Sequence, residues 1–133
     1  MTISYRGGYK YQLAEDYSIN VDVRHPVETE FLVLLSDGDL LIKAGYAWDG
    51  PSGPTIDTKN FMRGSLVHDA LYQLMREGHI PEDYREHADS MLREICREDG
   101  MTAMRAWWVY RGVRFGGGSS AARGADRPVL TAP

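Results

Sequence analysis

"SLVHDALYQLMREG", residues 65–78, is the stretch on which the reading of the chain turns. Leu66, Ala70 and Leu74 recur four residues apart, Met62 extends the stripe backwards, and Leu71 and Met75 lie beside it. That period belongs to a helix with one buried face. Gly78 supplies its stop. A His-Asp pair sits inside this pattern. His68 and Tyr72 are four residues apart and share a face. Asp69 is turned about 100° from His68 and can serve a different neighbour.

Downstream, "HIPED" reads as a turn, and Pro81 with Glu82 and Asp83 opens a second helix. There Ala88, Met91, Leu92 and Ile95 repeat at helical spacing, and Gly100 ends the pattern. A third helix, "TAMRAWWVYRGVRF", carries Met104, Trp107, Trp108 and Phe115. Adjacent helical positions face apart, so the two tryptophans are expected to divide between core and surface. Residues 117–133 are rich in Gly, Ser, Ala and Pro and are expected to form a flexible tail, or one that a partner orders.

Upstream, the period is that of strands. "FLVLL" and "DLLIKA" flank "SDGD", a hairpin signal. "YSINVDV" places Ile19, Val21 and Val23 on one face. A small antiparallel meander of about four strands follows, near 9–13, 17–23, 31–35 and 39–44. Between meander and helices, "GYAWDGPSGPTIDTKN" is too dense in glycine and proline for a regular element. Loops of that length are often functional. The architecture expected is therefore α+β: meander, Gly/Pro-rich loop, three helices. Residues 1–116 make one globular domain, a length of chain that can bury a core unaided.

A formal net charge of −4 gives no overall attraction to nucleic acid or anionic lipid, although a local patch is compatible with it. No apolar run approaches the roughly 20 residues of a membrane span. The N-terminus lacks the apolar core of a signal peptide. The single cysteine, Cys96, cannot form an intrachain disulfide and reads as a small core residue. The expected location is a host cytoplasm or a virion.

The chemistry lies where the first two helices face each other. A short connection favours antiparallel packing, and Asp89 borders the apolar stripe of the second helix, so it can approach His68. A carboxylate on one imidazole nitrogen fixes the tautomer and leaves the other nitrogen as a base. Asp69 is then available for a metal beside the loop. Calcium takes carboxylate and carbonyl oxygens, which the acidic, glycine-rich loop could supply. The same residues also read as a structural cluster, with His68 donating to Asp89 to satisfy two half-buried groups and Tyr72 bonded to a carboxylate. No H-E-x-x-H, C-x-x-C or P-loop occurs, and no G-x-S-x-G elbow surrounds Ser65. His25 reads as a surface residue, and His79 and His87, which flank the turn, read as solvated histidines or as further ligands of a metal site.

The segment from Gly45 to Gly116 resembles a phage and prophage family, domain of unknown function thirteen fifty-three. Tyr46, Asp49, Ser52 and Pro54 fall on its loop pattern. His68, Asp69, Leu71 and Tyr72 fall on its helix pattern, Ala88 and Asp89 on the next helix, and Phe115–Gly116 closes it. Trp48 and Thr55 depart from the pattern. The resemblance implies a phage or prophage gene and leaves the activity open. A shorter likeness, confined to motifs, is to phospholipases of the A-two type. It implies His68 as base, Asp89 as its orienting partner, and Asp69 with Asp49, Gly50 and Gly53 of the 49–53 loop as a calcium site. The strand-rich first third has no counterpart there. Two classes of function follow. One is a virion- or tail-associated assembly component, or an inhibitor of a host protein, that contacts protein partners through its tail and Trp107/Trp108. The other is a calcium-assisted hydrolase.

Overall fold

The computed structural model describes residue 3 and residues 5–6, 11–49 and 59–121. The strand-rich part holds seven short strands, β1 (Tyr5–Arg6), β2 (Tyr11–Leu13), β3 (Tyr17–Asn20), β4 (Val27–Glu28), β5 (Leu32–Leu34), β6 (Asp39–Ile42) and β7 (Ala47–Trp48). The helices are α1 (Lys59–Arg76), α2 (Arg85–Glu98), α3 (Ala103–Gly116) and the single turn α4 (Gly118–Ala121), with a 3-10 turn at Glu82–Tyr84 before α2. The α+β order of strands then helices stands as expected.

The strands make two antiparallel sheets, β1-β2-β7 and β3-β6-β5-β4. The hairpin at "SDGD" is present: Leu34 pairs with Leu40, and Leu35 and Asp39 close the loop. Gly38 has a φ of 93°, the left-handed conformation such a loop requires. The other neighbours differ from a simple meander. Short polar breaks let the chain leave one sheet for the other, so β2 pairs with β7, and β3 pairs with β6. Thus the Gly/Pro-rich region begins with a strand, Ala47–Trp48, rather than wholly as loop. Its continuation through residues 50–58 lies outside the described residues.

α1 is the centre of the fold. It is buried along nearly its whole length, because the sheets cover one side and α2 another. Leu66, Val67, Ala70, Leu71, Leu74 and Met75 pack with Leu13, Val21, Val23, Leu32, Leu34, Leu40 and Ile42. A second apolar cluster joins Phe61, Leu92, Cys96, Met101 and Ala106 beneath α3. Burial pushes the Cys96 thiol up to about 12, with the nearby Asp99 charge acting in the same direction, so it behaves as a core residue. Within the expected tail, Gly118–Ala121 form α4 and Ala121 is buried in the main core; residues 122–133 lie outside the described residues. Among the described residues, no helix is long and apolar enough to cross a membrane.

The α1–α2 crossing is set by Gly64. A Cβ there would stand 2.9 Å from Cys96 Sγ, 3.0 Å from Leu92 Cδ1 and 3.3 Å from the Leu92 carbonyl oxygen. Gly64→Ala is therefore expected to destabilise by about 1–3 kcal/mol through overpacking, although alanine is the better helix former. Urea denaturation checks this. Adding Cys96→Ala should recover part of the loss, because it removes the nearest obstruction.

Candidate functional site

α1 and α2 bring His68 and Asp89 together as expected. His68 Nε2 lies 2.7 Å from Asp89 Oδ1. A carboxylate only accepts, so the arrangement assigns the proton to Nε2. Among the described residues, no group bonds the Nδ1 of His68. The imidazole is 8% exposed, and Asp89 is 0% exposed.

Tyr72, one turn beyond His68, donates its hydroxyl to the same Asp89 oxygen at 2.6 Å, and the two rings stack at 4.1 Å between centroids. Burial pushes the Tyr72 hydroxyl well above its ordinary range, and the bond to Asp89 acts the same way. It is thus a proton donor that fixes Asp89, a positioning group.

Two arginines complete the cluster. Arg114 of α3 donates to Asp89 Oδ2 at 3.0 Å. Arg85, the first residue of α2, donates to the Tyr72 hydroxyl at 3.3 Å and to the Val113 carbonyl at 3.0 Å, and also to the Arg114 carbonyl. It thereby pins the end of α3 against α1. Gly117 allows the close approach: a Cβ there would fall 2.6 Å from the Tyr72 hydroxyl. Burial opposes the charge on Asp89. Hydrogen bonds from His68 and Tyr72, the attraction of His68 and the Arg114 bond outweigh it, and the carboxyl stays below its ordinary range. Neither arginine belongs to the His-Asp motif. The only sequence signal for Arg114 is a basic residue in the last turn of a helix, which usually serves the helix dipole.

Other candidates have separate positions. Ser65 donates to the Met62 carbonyl at 2.8 Å and accepts from the Trp48 indole at 3.0 Å, so it docks β7 on α1. His87 is half-buried; its Nε2 bonds the Val21 carbonyl at 2.6 Å and ties α2 to the segment that follows β3. His25 is half-buried, edge-on to Tyr84. Asp69 is half-buried on α1 beside His68, and Asp49 follows β7. Gly50 and Gly53 lie outside the described residues. Among the described residues, no group of three or more His, Cys, Asp or Glu side chains could hold a metal ion. The tryptophans depart from the expected division: Trp107 and Trp108 are both exposed, and they meet edge to face at 5.0 Å. A concavity lined by Ser90, Arg93, Glu94, Arg97, Glu98 and Tyr110 includes none of the dyad residues.

Fold and site together define a small α+β domain built around a buried His-Asp pair shared by two helices. The family described as "Protein of unknown function (DUF1353)" matches residues 27–113, and the chain belongs to it, the phage-related family its motifs resemble. The match starts earlier than the motifs do and takes in β4–β7 with α1, α2 and most of α3. No curated protein and no solved structure is similar enough to the chain to count as a match.

Proposed function

We propose that the chain is a phage-encoded hydrolase in which His68 activates water. One observation carries this reading: Asp89 bonds Nε2 of His68 across two helices, which leaves Nδ1 as the basic nitrogen. In the reaction, Nδ1 takes a proton from water as its oxygen attacks an ester carbonyl. The imidazolium then returns the proton to the departing alkoxide, giving an acid and an alcohol. Asp89 holds the imidazole in the productive tautomer, and Tyr72 and Arg114 hold Asp89. The ester class is suggested by the likeness to A-two phospholipases.

The test is a panel of carboxylic esters and phospholipids with wild type and His68→Asn. The wild type should hydrolyse at least one substrate, and the variant should lose about a hundredfold or more in rate. The variant is also expected to be less stable, because it removes a donor from buried Asp89, so circular dichroism must show it folded at the assay temperature. No hydrolysis by the wild type, or full activity in a folded variant, overturns the reading.

Calcium is a separate part of the proposal. Asp49 directly follows Trp48, whose indole bonds Ser65 one turn before Asp69, and this supports a site formed by Asp69 with the start of the loop. The described side chains do not by themselves make a metal cluster, so no chemical step is routed through the ion. Calcium at millimolar concentration should give heat in calorimetry and raise the melting temperature by mass action, and Asp69→Asn should abolish both effects. Absence of heat and thermal shift in the wild type removes calcium from the proposal.

A second reading has its own observation. A buried carboxylate with three donors is also what a purely structural centre requires. The chain would then act by contact, as a virion- or tail-associated assembly component or as an inhibitor of a host protein, in the host cytoplasm or the particle. Co-purification with particles, undisturbed by a folded His68→Asn variant, supports this reading against the first.

A further inference from the structure

The third helix presents an apolar stripe to the outside. Met104, Trp108, Arg111 and Phe115 stand at i, i+4, i+7 and i+11, with Trp107 alongside, so they occupy one face. Met104 is 74% exposed, Trp107 42%, Trp108 63% and Phe115 97%. Among the described residues, the one other large hydrophobic side chain so exposed is Leu35. The orientation of α3 is not free, because Ala106 is buried and Val109 and Val113 pack on the cluster of Phe61, Leu92, Cys96 and Met101. The body of the domain therefore fixes the stripe outward.

The charges that α3 itself carries have one sign, while Glu94 and Glu98 of α2 lie with Arg93 and Arg97 beside Tyr110 at its flank. α3 holds Arg105, Arg111 and Arg114 and no acid. Residues 101–133 contain five arginines and one acid, whereas the first hundred residues contain ten basic and eighteen acidic ones. The chain is acidic as a whole and basic at this end. Arg111 lies over the Trp107 ring, 5.8 Å from its centroid.

We propose that the outer face of α3 docks on an anionic phospholipid surface. Tryptophan suits the boundary between headgroups and acyl chains, Met104 and Phe115 supply apolar anchors, and arginines beside them reach phosphate while their stems stay apolar. An α-helix of this length lies along the interface for about 20 Å. Pairing of two copies through this face sets the arginines of one α3 against those of the other, and α3 carries no acid to offset them, a like-charge arrangement that disfavours association. The most exposed side chains, Met104 and Phe115, offer nothing to a nucleic-acid backbone. The anchors stand on one helix and not in a groove of the kind that seats a protein hot spot. This inference does not depend on the hydrolase reading, since it concerns docking and not the dyad.

The test uses the full chain with vesicles of phosphatidylcholine alone or mixed equally with phosphatidylglycerol. Tryptophan emission and co-sedimentation are read at low and high salt. The mixed vesicles should shift the emission to the blue and carry the protein down, at least tenfold more strongly than neutral vesicles, and salt should weaken the binding. Trp108→Asp combined with Phe115→Asp should abolish binding while the circular dichroism spectrum stays native. Arg105→Gln combined with Arg111→Gln should weaken binding and reduce its salt dependence, with the tryptophans intact. No binding to the mixed vesicles, or equal binding by the aspartate variant, overturns the proposal. It is equally overturned if the same variant instead abolishes self-association, or if poly-glutamate or a single-stranded oligonucleotide binds this face as tightly as the mixed vesicles do.

Discussion

Asp89→Ala should lower the unfolding free energy by about 3–5 kcal/mol, the range for removing one partner from a buried, hydrogen-bonded charge pair. The loss has several parts. His68 Nε2, the Tyr72 hydroxyl and Arg114 all direct hydrogens at this carboxylate, and Asp89 is wholly buried between α1 and α2. Truncation leaves those donors without their acceptor in a space too apolar to hydrate them well. Since domains are stable by only about 5–15 kcal/mol, the urea midpoint should move by a large fraction of its value. Asp89→Asn should cost less. Its carbonyl still accepts from His68 or Tyr72, but its amide faces Arg114 as donor to donor. A loss below about 1 kcal/mol in the alanine variant would mean that water replaces the carboxylate and that the cluster is more open than its burial indicates.

The same residue sets the acid limb of stability. Its folded pKa lies below the unfolded value of 3.8. The stabilisation is therefore fully present above that value and is lost as pH falls through it toward the folded pKa. Asp89→Asn should flatten the decline of stability below pH about 5 relative to wild type.

How much of this was legible in the residues can be judged at the dyad itself. The helical spacing of Leu66, Ala70 and Leu74 and of Ala88, Leu92 and Ile95 places His68 and Asp89 on facing stripes, so their contact follows from two periods and a short turn. Arg114 and Arg85 do not follow in this way. They depend on the angle at which α3 crosses the other two helices, and that angle is set by packing around Ala106 and by the approach at Gly117, neither of which has a periodic signature. The strands show the same division. "SDGD" encodes a local hairpin. The pairing of β2 with β7 joins residues more than thirty positions apart and is fixed by burial of Leu13 and Trp48, which no local pattern specifies. The tryptophans mark a third kind of failure. Apolar residues at helical spacing normally mean a buried face, and in α3 the larger set faces outward.

Arg63→Met is the second substitution expected to have a large effect, about 2–3 kcal/mol. Arg63 lies near the start of α1 and is buried, yet it carries a guanidinium. Its Nε and Nη2 both donate to Asp99, Nη2 also donates to Glu98 at 2.8 Å, and Nη1 donates to the Tyr17 hydroxyl at 2.9 Å. One side chain thus joins α1 to the end of α2 and to β3. Burial alone would lower its pKa, but the bonds to Asp99, Tyr17 and Glu98 hold it above the ordinary value, so it stays charged. Methionine fills similar volume and removes every one of those bonds. The cost falls at or below the low end of the range for a broken buried pair, because Glu98 is exposed and Asp99 half-buried, and both can turn to water. Tyr17 cannot, and its stranded hydroxyl adds to the loss. Arg63→Lys should recover only part, since an ammonium cannot match the forked geometry that reaches Asp99 and Tyr17 at once. A double-mutant cycle of Arg63→Met with Asp99→Asn isolates the pair. A coupling of about 1 kcal/mol or more is expected, whereas a value near zero would make this an ordinary surface ion pair and leave the α1–α2 contact to apolar packing alone.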